Sequence, residues 1–326
     1  MKVLVHDRLE AVGASAWDGL LAATRLRSPF LSWTWQTEWA RVFADGRQLA
    51  IHCVHDGSDG LVGLLPLHES APGTFQLLGG PDVSDYLDLI TVPGREEEVW
   101  MALLQSRSGV RVEWELHAVS PRSPTATTLA QLAATCGLAA SVTVEERCPV
   151  LALPSSWEAY LASLSGKHRH ELMRKTRRLE RGAPDARVSW ASTPAEIEAR
   201  IGEFLDLHRR SRAGKARFMD ERMEQFFRRV LAAFAEREAC RLWFLDTSSG
   251  PIAAFVTIEW DDRVGLYNSG FDPPRAALSP GVVLLAQLVR HAIAGRRGTF
   301  DFLRGEERYK YEFEPVPEAV CAVRIQ

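Results

Sequence analysis

The chain has 326 residues, enough for about two domains at roughly 150 residues each, and its 46% apolar and 25% charged residues with a net charge of −3 are those of a soluble globular protein. These proportions exclude disordered, collagenous and disulfide-scaffold chains, and five scattered cysteines without a CxxC pair argue against a zinc site and for buried thiols in a reducing compartment. No apolar run approaches the roughly 18 residues of a membrane helix, and His6, Asp7, Arg8 and Glu10 interrupt the place of a signal peptide's apolar core, so a cytoplasmic protein without a transmembrane segment is expected.

In the first half, apolar runs at 49–54 and 61–67 flank the turn formers Asp56-Gly57-Ser58-Asp59-Gly60, which predicts a β-hairpin. A strand-like segment at 86–90 and a helical one at 95–107 follow. Then come the turn-rich Ser120-Pro121-Arg122-Ser123-Pro124, a helical run to Cys136-Gly137 and a strand over 141–145. Pro149 and Pro154 precede a new helical pattern at Ser155 or Ser156, which places a domain boundary near residue 150. Charge divides at the same point: residues 1–150 carry 11 Lys and Arg against 18 Asp and Glu, whereas 151–326 carry 28 against 24. The second half is therefore expected to meet an anionic partner such as a phosphorylated cofactor. Its excess is far below that of a dedicated nucleic-acid binder, so no DNA partner is expected.

The second half opens with a helix over 156–181, interrupted at Gly166 and then strongly basic, with seven Lys and Arg against two Glu from Lys167 to Arg181. Its cations form either a solvated face or a surface that receives phosphates, and Lys167 and Arg169 stand in its first turn. Helical patterns over 194–212 and 219–237 are joined by Ser211-Arg212-Ala213-Gly214-Lys215-Ala216, a basic loop that serves as a lid or as a plain connection. A second hairpin, 241–245 with 252–260, repeats the Asp-x-Ser-x-Gly pattern of the first at an offset of 190 residues, again followed by a strand (264–269) and a helix (280–294). The recurrence of letters and element order points to duplication. Between that strand and helix, Ser279-Pro280-Gly281 reads as a helix start able to seat a pyrophosphate, or as an ordinary Ser cap followed by Pro. Downstream, six charges crowd residues 301–310 at the end of the apolar strand begun by Phe300 and Phe302. Such a cluster marks either chemistry or an exposed ion-pair network.

Taken in order, Leu164-Ser165-Gly166-Lys167-His168-Arg169, Leu207-His208, Gly250-Pro251-Ile252-Ala253, Tyr267-Asn268-Ser269-Gly270, Ser279-Pro280-Gly281 and Asp301-Phe302-Leu303-Arg304-Gly305-Glu306-Glu307-Arg308-Tyr309-Lys310 resemble the C-terminal domain of the CelD-like acetyltransferases. These are double-domain members of the GNAT superfamily related to the FemABX aminoacyl transferases. The first half agrees more loosely, through Ser28-Pro29-Phe30 and Asp85-Tyr86-Leu87-Asp88. The resemblance implies an α/β (α+β) fold of two tandem GNAT-like domains, 1–150 and 151–326, each a twisted mixed sheet flanked by helices, with the active cleft near their junction. The N-terminal domain then supports the fold and shapes an acceptor pocket. Arg275-Ala276-Ala277-Leu278-Ser279-Pro280 supplies the Arg of the usual GNAT pyrophosphate loop but neither glycine, Gly281 coming one position late. Tyr309-Lys310 is similar to the aromatic-Lys pair of the FemABX proteins. Phe313 and Arg210-Ser211 depart from the Trp and Arg-Trp usual in the CelD-like pattern.

The roles implied are Lys310 as a cation at the oxyanion or phosphate, Glu307 or Asp301 as acceptor-binding carboxylate or base, and Tyr309 as an acid. Arg275, Ser279, Pro280 and Gly281 would hold the donor. Arg169, Lys167, Arg304, Tyr267 and Asp272 would face the substrates. No metal-ligand cluster or Ser-His-Asp arrangement is discernible. The expected activity is transfer of an acyl group from acyl-CoA (acetyl-CoA) to an amine of a small or envelope-related acceptor by direct attack. An aminoacyl-tRNA donor is the first alternative, and a non-catalytic binding protein on the same scaffold the second.

Overall fold

The computed structural model describes residues 1–107 and 112–326, which divide into two units. The first comprises Met1–Glu146 together with Ala319–Gln326, and the second Arg147–Glu318. The eight residues from 319 to 326, expected with the second half, thus belong to the first, because the strand they form is paired there.

In chain order the first unit carries β1 (Lys2–His6), α1 (Ala14–Ala23), α2 (Trp33–Phe43), β2 (Leu49–His55), β3 (Leu61–Ala71), β4 (Thr74–Leu77), β5 (Ile90–Thr91), α3 (Glu96–Ser106), β6 (Glu113–Val119), α4 (Pro124–Thr127), α5 (Leu129–Thr135) and the start of β7 (Ala140–Ala152). The second carries the end of β7, then α6 (Trp157–Ser163), α7 (Gly166–Gly182), β8 (Arg187–Ala191), α8 (Pro194–Ser211), α9 (Ala213–Phe218), α10 (Glu221–Ala235), β9 (Cys240–Thr247), β10 (Gly250–Trp260), β11 (Arg263–Phe271), α11 (Pro280–Ala294) and β12 (Thr299–Asp301). The final strand, β13 (Val316–Ile325), returns to pair antiparallel with β6 in the first unit.

Both units are mixed α/β and share a topology. An antiparallel hairpin, β2–β3 or β9–β10, leads into a strand, a helix and a second strand parallel to the first: β4, α3 and β6 in one, β11, α11 and β12 in the other. This is the duplication expected from the repeated hairpin. The repeated aspartates do different work, however. Asp56 closes its own turn, accepting from the backbone of Ser58 at 3.0 Å and Gly60 at 3.2 Å, whereas Asp246 accepts from Arg200 at 2.6 Å. The strand expected at 86–90 is reduced to Ile90–Thr91, since Tyr86 lies at φ 56°, a left-handed conformation that breaks an extended run.

Periodicity and caps account for the helices of the second unit. Along α10, Met223, Phe226, Phe227, Val230, Leu231 and Phe234 recur at helical spacing and are buried, and Asp220 caps it by accepting from Met223 N at 2.8 Å. Helix α8 starts with a capping box between Thr193 and Glu196. On one face of the sheet, α11 and α7 bury Leu284, Leu285, Val289, Leu172 and Leu179 against β9–β12. Each such side chain contributes about 1.5–3 kcal/mol. Helices α8 and α10 pack on β9–β11 outside that cluster. The 211–216 joint is not a plain loop, since α9 begins at Ala213. None of the five cysteines forms a disulfide, and four of them are buried. No helix among the described residues is long and apolar enough to cross a membrane.

Candidate active site

Strand β11 is bonded to β12 only through Arg263, Val264 and Gly265, yet it stays paired with β10 as far as Phe271. Past the end of β12, β11 therefore runs with one edge uncovered, and a cavity of about 240 Å³ lies at that end, lined wholly by the second unit. Three structures meet there. The N-terminus of α11 brings Ser279, Pro280 and Gly281; the α8–α9 junction brings Arg212 and Lys215; the segment after β12 brings Glu307 and Tyr309.

The helix end leaves backbone donors open. Ser279 lies at φ 53°, which turns the chain sharply into α11, and its hydroxyl makes no cap bond. Gly281 and Val282 have backbone N–H groups without intrahelical acceptors, at the positive end of a 15-residue helix dipole. Gly281 is open, the nearest atom to a Cβ there being Phe255 Cζ at 3.9 Å. Strand β11 is held close to α8 by Gly270, where a Cβ would lie 2.5 Å from His208 N. His208 is buried and pushed down to about 4 by desolvation, so it is neutral, and its Nδ1–H donates to the Ser269 carbonyl at 2.9 Å.

Lys215 was not singled out from the sequence, where it stood in a basic joint with no spacing to mark it. The start of α9 turns it inward. Its ammonium donates to the carbonyl and hydroxyl oxygens of Ser269, the latter at 3.1 Å. Desolvation pulls it down to about 8, with Arg212 and Lys310 adding to the fall and Glu307 opposing it. Tyr309, half-buried in the cavity wall, is raised above its usual range by burial first and by the Glu307 charge second, and its hydroxyl bonds Ser269. Burial also pushes Glu307 up, but Lys310 and, more weakly, Lys215 outweigh it, so this carboxylate stays below its ordinary value and ionised.

The other expected residues are distributed differently. Lys310 is 3% exposed and does not line the cavity. Its ammonium donates to the carbonyls of Arg304 and Gly305, each at 2.9 Å, and forms an ion pair with Glu307 Oε2 at 2.9 Å. These contacts brace the 304–307 turn, from which Glu307 and Tyr309 reach the cavity. Gly305 fits this turn at φ 105°, where a Cβ would fall 2.7 Å from Glu307 Oε2. Asp301 is fully buried away from the cavity, accepting from Leu303 N at 2.9 Å and facing Arg263, so it closes the end of β12. Asp272 pairs with Arg210 at 2.9 Å, and Tyr267, the bulge residue of β11, stacks on Phe227 at 5.3 Å. Arg275 is exposed on the 3-10 turn Pro273–Leu278; Lys167 and Arg169 are exposed on the first turn of α7; the Arg304 side chain is half-buried outside the cavity. Helix α7 holds the following 3-10 turn, Lys310–Phe313, through Lys175 to Glu312 at 2.5 Å and His168 to Glu314 at 2.7 Å.

In the first unit a separate cavity of about 300 Å³ is lined by Asp88, Glu96, Arg25 and Arg122 among others. Asp88, 4% exposed, is pushed up to about 6 by desolvation, against hydrogen bonds from Ser123, Thr125 and Leu89 N. Among the described residues, no group of three or more His, Cys, Asp or Glu is placed to hold a metal ion.

Comparison with known proteins agrees with this architecture. Residues 166–311 match the family described as acetyltransferase (GNAT) domain. No curated protein matches the chain. Among solved structures, FemX is similar at 9% identity with a TM-score of 0.64, covering 99% of this chain and 97% of its own. A conserved protein of unknown function from Bacteroides thetaiotaomicron is 14% identical, with a TM-score of 0.63 and 99% of both chains covered. A tandem GNAT protein from the clavulanic acid biosynthesis pathway is 14% identical, with a TM-score of 0.51, covering 100% and 98%. At such identities the likeness speaks for the fold, and the family match speaks for the domain that holds the cavity. Residues 166–311, within the second unit, are similar to a GNAT acetyltransferase domain, and the chain as a whole shares the fold of FemX and of a tandem GNAT protein.

Proposed function

We propose that the second unit transfers an acyl group from acyl-CoA to the amine of a small acceptor. The observation that carries this reading is one cavity with the α11 N-terminus at one wall and Lys215, Glu307 and Tyr309 at another. The residues present fit such a donor: the free N–H groups of Gly281 and Val282, with the Ser279 hydroxyl, suit a diphosphate. A volume of about 240 Å³ is below the roughly 300–1,000 Å³ of pockets that enclose drug-sized ligands, so only the acyl end and its neighbouring chain would lie inside.

A CoA thioester supplies an activated acyl carbon and a thiolate leaving group. Glu307, ionised at neutral pH, is a weak base and serves better to bind and orient the acceptor's nitrogen. Tyr309 keeps its proton far more strongly than a thiol does. It therefore donates a hydrogen bond to the developing negative charge without giving the proton up, a narrower role than that of the acid first assigned to it. Lys310 positions both through the 304–307 turn. Thermal denaturation with a panel of acyl-CoAs tests the reading: a ligand at about 100 times its Kd adds about 2.7 kcal/mol, and no shift with any member refutes it.

An aminoacyl-tRNA donor is favoured by one observation, the exposed stripe of α7 that carries Lys167, Arg169, His170, Arg177 and Arg181. That donor requires RNA binding that weakens steeply with salt, whereas acyl-CoA binding does not.

A further inference from the structure

We propose that Lys215 is a site of self-acylation: when no acceptor is present, an activated acyl donor in the α11 cavity transfers its acyl group to the Lys215 amine, which closes the site. The identity of a CoA donor rests on the reading above; the nucleophile rests on the surroundings of Lys215.

The chain has five lysines, Lys2, Lys167, Lys175, Lys215 and Lys310. Lys2 and Lys167 are exposed. Lys175 is tied to both oxygens of Glu312, and Lys310 to Glu307 and two carbonyls. Lys215 alone stands in the cavity wall, and its hydrogen-bond acceptors are the uncharged oxygens of Ser269. It can lose its proton without breaking a direct ion pair. The charged groups around it oppose one another. Arg212 beside it and Lys310 from beyond Glu307 disfavour the ammonium, Glu307 favours it, and His208 of α8 and Tyr309 are neutral. With desolvation pulling it to about 8, roughly half of Lys215 is free amine at that pH, against less than about 1% of an ordinary exposed lysine.

The chemistry balances within the site. Nζ of neutral Lys215 attacks the acyl carbon, a C–N bond forms, the C–S bond breaks, and the proton lost by nitrogen joins the thiolate to give free CoA thiol. With an acyl phosphate the C–O bond breaks instead and phosphate leaves. The amide product is too stable to pass the acyl group to another amine, so the event ends turnover and does not relay it. It also removes the lysine's charge, takes the ammonium from Ser269 and fills part of a cavity of about 240 Å³.

The test incubates the purified full chain, without acceptor, with acetyl-CoA or with acetyl phosphate, which needs no CoA seat, and maps acetylation by peptide mass spectrometry. Near pH 8.5, Lys215 should be labelled at least about tenfold faster than Lys167, and its rate should fall about tenfold or more near pH 6.5. Labelling should drop to the Lys167 rate in urea, and the labelled protein should lose any thermal shift with CoA. The Lys215→Arg variant, which keeps a cation able to donate to Ser269, should lose this modification, and a melting temperature equal to the wild type's shows that it folds. Selective labelling by acetyl phosphate but not by acetyl-CoA keeps the nucleophile and overturns the CoA reading. Labelling of Lys215 no faster than Lys167 by either donor overturns the self-acylation proposal, and a persisting acetyl-CoA thermal shift then leaves the CoA reading standing.

Discussion

Replacing Lys310 by Met separates a positioning lysine from one that acts on the donor. The side chain is 3% exposed and its ammonium is the partner of two turn carbonyls and of Glu307, so the variant leaves three acceptors unmatched while nearly keeping volume. Breaking a buried charge pair from one side costs about 3–5 kcal/mol, and each buried acceptor left unpaired about 1–3. Glu307 keeps 33% of its side chain in water and still faces Lys215, which places the total near the lower end, about 3 kcal/mol. At about 2–4 °C per kcal/mol for a unit of this size, the melting transition of the second unit should fall by roughly 6–12 °C in calorimetry. Adding Glu307→Gln to Lys310→Met should restore about 1 kcal/mol or more, since a neutral amide does not need the lost cation. A Lys310→Met protein that melts within about 1 °C of the wild type but has lost donor binding would refute this account and return Lys310 to the role of a direct cation.

Four further outcomes follow from the geometry. Gly305→Ala forces a side chain onto φ 105° and a Cβ 2.7 Å from Glu307, so it should cost about 1–3 kcal/mol in chemical denaturation, with loss of activity. Gly281→Ala meets nothing closer than 3.9 Å, so its stability should stay within about 0.5 kcal/mol of wild type, while Gly281→Val, which fills the cavity mouth, should weaken donor binding in calorimetric titration. Lys215 is depressed to about 8 in the fold, so between that value and its unfolded pKa of about 10.4 the unfolded state holds more protons; relative to Lys215→Met, the wild type should gain stability as pH rises through that window. Asp88 is raised to about 6, so the folded state holds the extra proton between about 4 and 6 and stability falls as pH rises there; Asp88→Asn should melt higher than wild type near neutral pH, with the difference vanishing near pH 4.

Much of the second unit was legible because its signals are local. The spacing of Met223, Phe226, Phe227 and Val230, the Gly166 interruption and the Ser279-Pro280-Gly281 start are each visible within a few residues. The repeated hairpin was legible too, from letters alone. What escaped was the distinction between a charge that serves the cavity and one that serves the backbone. Asp301, Glu307 and Lys310 share one charge-dense stretch, yet Asp301 closes a turn, Lys310 shapes the next and only Glu307 reaches the cavity. Lys215 escaped for the converse reason: the inward turn at Arg212, with φ −160° between two helices, leaves no periodic trace. The strand expected at 86–90 failed at Tyr86, whose left-handed backbone no propensity announces.

The pairing of β13 with β6 bears on how the protein is made. Val119, Leu116 and Trp114 of β6 await Cys321, Val323 and Ile325, which the ribosome adds only after the whole of Arg147–Glu318. At roughly 5–20 residues per second, the nascent first unit waits on the order of 10–30 s with that strand edge uncovered. Every residue of the second unit is on the chain before the partner of β6 is made, so that unit has what it needs to fold while the first still shows a strand edge open to the wrong neighbour.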